Sequence, residues 1–231
     1  SGMLHDVGRF EQIKRYNTFS DADSVDHAKF GADLLFKDGL ISTFLKGMVK
    51  CTGYKPGALE DRYDSDGVFL YDRLNKSDME MLELAIRCHN MYRIPQGLNS
   101  REQAFCNVLR DADKVDIFKV NIDTPLEEIY NTTTEELMKS NITDEVLEAF
   151  DEEHCILKAI RRTPADTVIG HVSLAYELVY DESVRITVEQ GYLAKLMHFH
   201  SDNEETNRKM AMVREKMDSY VKKRIGRKMH R

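Results

Sequence analysis

The chain has 231 residues, of which 42% are hydrophobic and 32% charged, with a formal charge of -7 and eight histidines. That length supports one sizeable core, alone or with a packed extension, and the composition excludes collagen-like, low-complexity and wholly disordered readings. No run of about 18 apolar residues reads as a membrane span, and Met3-Leu4 is followed at once by His5-Asp6, which is no secretory signal. The acidic excess argues against wrapping a large nucleic acid, which needs surplus positive charge.

The chain repeats mostly at helical spacing and strand signals are weak throughout, which predicts an all-α protein. Phe30, Leu34 and Leu35 share one face of a helix over 26–36. The stretch from Thr52 to Asp72 reads as a connecting loop. Its Asp64-x-Asp66-Gly67 faintly resembles a calcium loop, but the other ligands are missing, and it reads as a solvated turn. A helix over 78–92 carries Met79, Leu82, Ile86 and His89, with Ser77-Asp78 as its cap and Pro95 and Gly97 at its end. A third, over 102–120, has the stripe Phe105, Leu109, Ala112, Asp113, Asp116, Ile117 and Val120, with Ser100 as cap and Gln103 in the capping-box position.

Beyond Pro125 the pattern becomes plainer. Thr133-x-x-Glu136 and Thr143-Asp144-Glu145 read as helix starts, the second followed by Leu147 and Phe150 on one face. Val168, His171, Val172, Ala175, Leu178 and Val179 mark a further helix, and Met210, Val213, Met217, Tyr220 and Val221 mark the last. The basic tail (Lys222, Lys223, Arg224, Arg227, Lys228, Arg231) reads as a frayed helix end. The expected organisation is a helical core over residues 1–125 and a helical extension over 126–231. Cys51, Cys88, Cys106 and Cys155 are scattered, which suits reduced thiols in a cytoplasmic protein.

Polar residues on apolar stripes are the informative anomaly, because burial costs free energy unless they are paired or hold a metal. His89 falls seven residues after Leu82, and Asp113 eight after Phe105, so both face inward; Asp111 points the other way. His27 lies on the inner face of its helix, and Gly8 would let a helix stop just after His5 and Asp6. Each alone is an ordinary core residue. Together they form a set of imidazoles and carboxylates suited to Mn, Fe, Co, Ni or Zn.

These residues resemble a family. His5-Asp6-Val7-Gly8-Arg9 is similar to the signature doublet of the HD-domain superfamily of metal-dependent phosphohydrolases. Asp26-His27-Ala28-Lys29-Phe30-Gly31 and Cys88-His89-Asn90 resemble the family's later histidine positions, and Arg110-Asp111-Ala112-Asp113-Lys114-Val115-Asp116 its closing aspartate motif. Gly8-Arg9-Phe10-Glu11-Gln12 further resembles a bacterial subgroup of HD hydrolases. The family begins with a helix bearing another histidine ligand. Only four residues precede His5 here, so the resemblance implies that this helix is missing from the chain.

The resemblance implies one or two divalent ions. His5, Asp6 and Asp113 would hold one, and His27 and His89 a second, bridged through Asp6. A metal-bound hydroxide would then attack a phosphate ester or anhydride, with a nucleotide as the expected small-molecule substrate. Arg9 and Lys114 are candidates to neutralise substrate phosphate; for Arg9 a salt bridge is an equal alternative, and Lys114 would otherwise only balance charge. The competing reading is a catalytically impaired HD module that binds a nucleotide or a protein partner. The extension would shape the pocket or a homodimer contact. His154, His171, His198 and His200 read as incidental, with His171 the best stand-in for the missing ligand.

Overall fold

The computed structural model describes residues 4–21, 23–44 and 76–226. The calcium-like turn at Asp64–Gly67, Cys51, and the tail residues Arg227, Lys228 and Arg231 lie outside these. Among the described residues every regular element is helical, so the protein is all-α as expected. No helix among them is long and apolar enough to cross a membrane. The helices are α1 (Val7–Tyr16), α2 (His27–Ala32, continuing as a π turn through Asp33–Lys37), α3 (Lys76–Cys88) and α4 (Ser100–Asp123). They are followed by α5 (Leu126–Tyr130), α6 (Thr134–Lys139), α7 (Asp144–Asp151), α8 (Pro164–Val172), α9 (Asp181–Gln190), α10 (Tyr192–Met197) and α11 (Glu204–Gly226).

The chain divides into two compact units between Leu109 and Arg110, inside α4, rather than at 125/126. The first buries Ala32, Leu35, Ile41, Ala85, Ile86, Cys106 and Leu109 against one another. Its α1 and α2 touch backbone to backbone: a Cβ at Gly8 would lie 2.2 Å from the His27 carbonyl oxygen, and one at Gly31 2.9 Å from the Gly8 nitrogen. Gly8 therefore does not end a helix, as its place after the doublet suggested. It sits in the first turn of α1, where only a missing side chain permits the crossing.

The second unit is built round Phe118, Val146, Phe150, Val168, Val172, Met210 and Met217. Its knot is Asp166, fully buried near the start of α8. It accepts from the Thr143 amide at 2.8 Å, the Arg162 amide at 2.9 Å and the Thr163 amide at 3.1 Å. The capping box expected at Thr133 and Glu136 is formed. Thr143 precedes α7, but its hydroxyl turns to Asp166 instead of capping. The 168–179 stripe is α8 followed by a 3-10 turn, Ser173–Glu177, with Val168, Val172, Ala175 and Leu178 buried and Val179 exposed. Arg224 is no frayed end: it donates to Asp181 at 2.8 Å and to the Leu178 carbonyl at 3.0 Å.

Other expectations shift by small register errors. The α3 helix starts at Lys76 and stops at Cys88. The N-terminus of α4 is capped by Asn99, whose side chain accepts from the Arg101 and Glu102 amides, while Glu102, not Gln103, reaches back to the Asn99 amide. The inward face of α4 also differs from the predicted stripe: Phe105 and Val120 are exposed, and Cys106, Leu109, Asp111, Lys114 and Phe118 are buried. Asp111 is 2% exposed and accepts from the amides of Val179 and Tyr180, whereas Asp113 is half-buried. That reverses the predicted order of the two aspartates. One stripe could not be drawn correctly because α4 serves two cores, Cys106 and Leu109 in the first and Phe118 in the second.

Candidate metal centre

Each side chain of the centre is placed by a different local device. Asp6 is the residue before α1, a position where a carboxylate usually caps the helix, but its side chain makes no capping bond and is turned elsewhere. His27 opens α2, whose cap is Asp26, accepting from the Ala28 amide at 3.1 Å and the Lys29 amide at 3.2 Å. The end of α3 is tied to α2 by Arg87, which pairs with both Asp33 and Glu83, and by Asn90, which donates to Asp26 at 3.0 Å. The close Gly8–Gly31 crossing then brings Asp6 onto His27, and the α3 ties bring His89 over both.

The result is a tight convergence. Nε2 of His27 lies 3.2 Å from Asp6 Oδ1, Nε2 of His89 lies 3.4 Å from the same oxygen, and the two nitrogens are 3.1 Å apart. Both histidines are buried. His5 completes the group: its Nε2 is 3.6 Å from Asp6 Oδ2 and its ring stands edge-on to His89 with centroids 4.8 Å apart.

The other nitrogen of each buried ring is committed. Nδ1 of His89 is 2.7 Å from the Ile86 carbonyl, and Nδ1 of His27 is 2.7 Å from Asp21 Oδ2. A carbonyl only accepts, so His89 Nδ1 carries the hydrogen. Burial opposes charge on Asp21, but its bonds to His27 and Gln12 and the charge of Arg9 outweigh it and hold the carboxyl below the usual range; His27 Nδ1 is therefore also a donor. In the neutral rings both Nε2 atoms are bare lone pairs.

They face Asp6 Oδ1, which is buried and has no hydrogen-bond partner. Burial works against charge on this carboxyl too, and only bonds and charge from protonated imidazoles around it hold it below the usual range. Three electron-pair donors converging within 3.4 Å repel one another unless a cation lies among them. A proton on His27, whose pKa burial lowers but the bonds to Asp21 and Asp6 raise on balance, answers part of that repulsion; a divalent ion would serve all three donors. Imidazole and carboxylate are the donor set of Mn, Fe, Co, Ni and Zn.

A second acidic group, Asp21, Asp26 and His27, is also close-packed. It is already supplied with protons. Asp21 receives Arg9 Nη1 at 2.9 Å, Gln12 Nε2 at 3.0 Å and His27 Nδ1, while Asp26 caps α2 and pairs with Lys29 at 3.0 Å. It is a hydrogen-bond network supporting the first group.

Of the residues singled out in the sequence, His5, Asp6, His27 and His89 come together. Asp113 belongs to neither group of described residues. It stands in the second unit with Lys114, which is buried; burial and then the Arg110 charge push its pKa down. Arg9 forms the salt bridge that the sequence left open, with Asp21. His171 is half-buried against the Tyr130 ring in the second unit, with its Nδ1 buried and unbonded. Asp21 went unnoticed because it lies in a loop, where no periodicity marks it; Gln12 was visible only as part of a motif.

No family model, curated protein or solved structure matches the chain.

Proposed function

We propose that the chain is a divalent-metal-dependent phosphohydrolase of the HD type, cleaving a phosphate ester or anhydride in a small molecule, with a nucleotide as the favoured substrate class. The observation that carries this reading is the convergence of Asp6 Oδ1, His27 Nε2 and His89 Nε2, with both opposing ring nitrogens committed as donors. A bound divalent ion supplies charge that polarises a phosphoryl oxygen and lowers the pKa of water toward neutrality.

The chain's own residues do the rest. His27 and His89 present their lone pairs from rings that cannot rotate without breaking the bonds to Asp21 and the Ile86 carbonyl. Asp6 offers Oδ1 inward, while its side chain as a whole is 46% exposed, so the opposite edge of the carboxylate is open to solvent. His5 closes one flank of the group.

The test is metal content after incubation with Mn2+ or Zn2+ and desalting, in the native chain, His89→Ala and Asp6→Asn, followed by phosphate release from nucleoside mono-, di- and triphosphates. Native protein retains metal and releases phosphate, and both variants lose both properties. Metal content unchanged in the two variants overturns the site; retained metal with no release from any substrate overturns the hydrolase reading and leaves a binding module.

A further inference from the structure

The proposed centre uses His5, Asp6, His27 and His89 but leaves unexplained three polar residues behind His27. Gln12 is fully buried, and its amide nitrogen lies 3.0 Å from Asp21 Oδ1, 2.8 Å from Ser24 Oγ and 3.0 Å from the Val25 carbonyl. Arg9 Nη1 donates to Asp21 Oδ1 at 2.9 Å, to the Phe19 carbonyl at 2.6 Å and to Gln12 Oε1 at 3.1 Å. Both residues project from α1, one turn apart, and both end on the same carboxylate. That carboxylate approaches His27 Nδ1 with both oxygens, at 2.7 and 2.9 Å.

We infer that Asp21 is a positioning residue that locks the His27 ring with Nδ1 as donor and Nε2 turned to Asp6 and His89, and that Arg9 and Gln12 act on the centre through Asp21 and not on a substrate. The inference rests on the metal-centre reading. It also explains an asymmetry between the two buried rings. His89 has a neutral carbonyl behind it and His27 an anion, and an anion behind an imidazole strengthens it as a ligand. An anion placed behind a buried imidazole must itself be held; Arg9 supplies the compensating charge and Gln12 a rigid second contact. The Gly-Arg-Phe-Glu-Gln run after the doublet is then one device: Gly8 lets α1 approach α2, and Arg9 and Gln12 fasten the loop that carries Asp21.

The test combines Mn2+ affinity, from titrations followed by electron paramagnetic resonance, with long-range proton–nitrogen NMR of the metal-free imidazoles, which reports the tautomer directly. Native His27 is the Nδ1–H tautomer. Asp21→Leu moves it toward Nε2–H and weakens Mn2+ binding about 10- to 100-fold, the usual cost of losing a ligand's supporting partner. Asp21→Asn keeps the shape and an acceptor oxygen but not the charge; it retains the tautomer with a smaller loss of affinity, and it carries the test if the leucine variant does not fold. Arg9→Met lowers Mn2+ affinity while leaving KM of the metal-saturated enzyme unchanged. Native affinity and native tautomer in folded Asp21 variants overturn the inference, as does an Arg9→Met enzyme with raised KM and unaltered metal affinity. If native protein binds no Mn2+, the metal-centre reading fails first, and the tautomer measurement still decides whether Asp21 orients His27.

Discussion

Nε2 of His27 and Nε2 of His89 face each other at 3.1 Å, although each ring has spent its only neutral-state hydrogen on an acceptor behind it. Facing lone pairs cost free energy, and a cation between them would return it. On the proposed metal reading, free Mn2+ at about 100 times its dissociation constant is expected to add about 2.7 kcal/mol of stability to the native chain. Calorimetric scans with Mn2+ and with chelator show the difference as a raised Tm. In His89→Ala the Mn2+-dependent rise disappears.

Gly8 is the position where a single methyl group does most damage. Its Cβ would lie 2.2 Å from the His27 carbonyl oxygen and 2.7 Å from the Gly31 nitrogen, both backbone atoms that cannot turn aside. Gly8→Ala is expected to cost about 3 kcal/mol by forcing α1 away from α2. It also draws Asp6 off His27, so Mn2+ binding falls with stability. At Gly226 an added Cβ meets nothing within 4 Å, and Gly226→Ala leaves metal binding unchanged in the same titration.

His171 is held neutral: burial, then the charges of Arg161 and Lys158, push its pKa down to about 3 from 6.5. Between those values the unfolded chain binds a proton that the folded chain refuses, so stability from this residue is complete above pH 6.5 and is lost as pH falls toward 3. At about 1.4 kcal/mol per pKa unit the full loss is of the order of 5 kcal/mol. Urea unfolding of His171→Phe at pH 7 and pH 4 shows a smaller drop than the native chain. An equal drop in both proteins counts against a neutral buried imidazole.

Asp166 gathers three backbone amides from two segments, those of Thr143, Arg162 and Thr163. Asp166→Ala strands these donors in the interior and is expected to cost about 3–5 kcal/mol. Asp166→Asn rescues only in part, because its NH2 must face donors where a carboxylate oxygen stood. Equilibrium denaturation ranks the three proteins, and hydrogen exchange at those amides rises in both variants.

Helical period and side-chain chemistry were enough to mark out an all-α chain, the capping box at Thr133 and Glu136, and the inward His27 and His89 beside His5-Asp6. These features are local, since a 3.6-residue repeat or an adjacent doublet is written in consecutive residues. What covers each face is not local. The period of α4 points Asp113 inward, yet Asp111 is the buried aspartate, because two cores claim different halves of that helix. Gly8 looked like a helix stop until Gly31 came against it from a segment 23 residues away. Asp21 carried no periodic signal at all; only the packing of α1 on α2, with the loop between them, sets its carboxylate behind His27. Which donor groups the chain offers is a property of residue type and was open to the sequence. How those groups are oriented comes from long-range contacts of loop and backbone, and only the tertiary structure decided it.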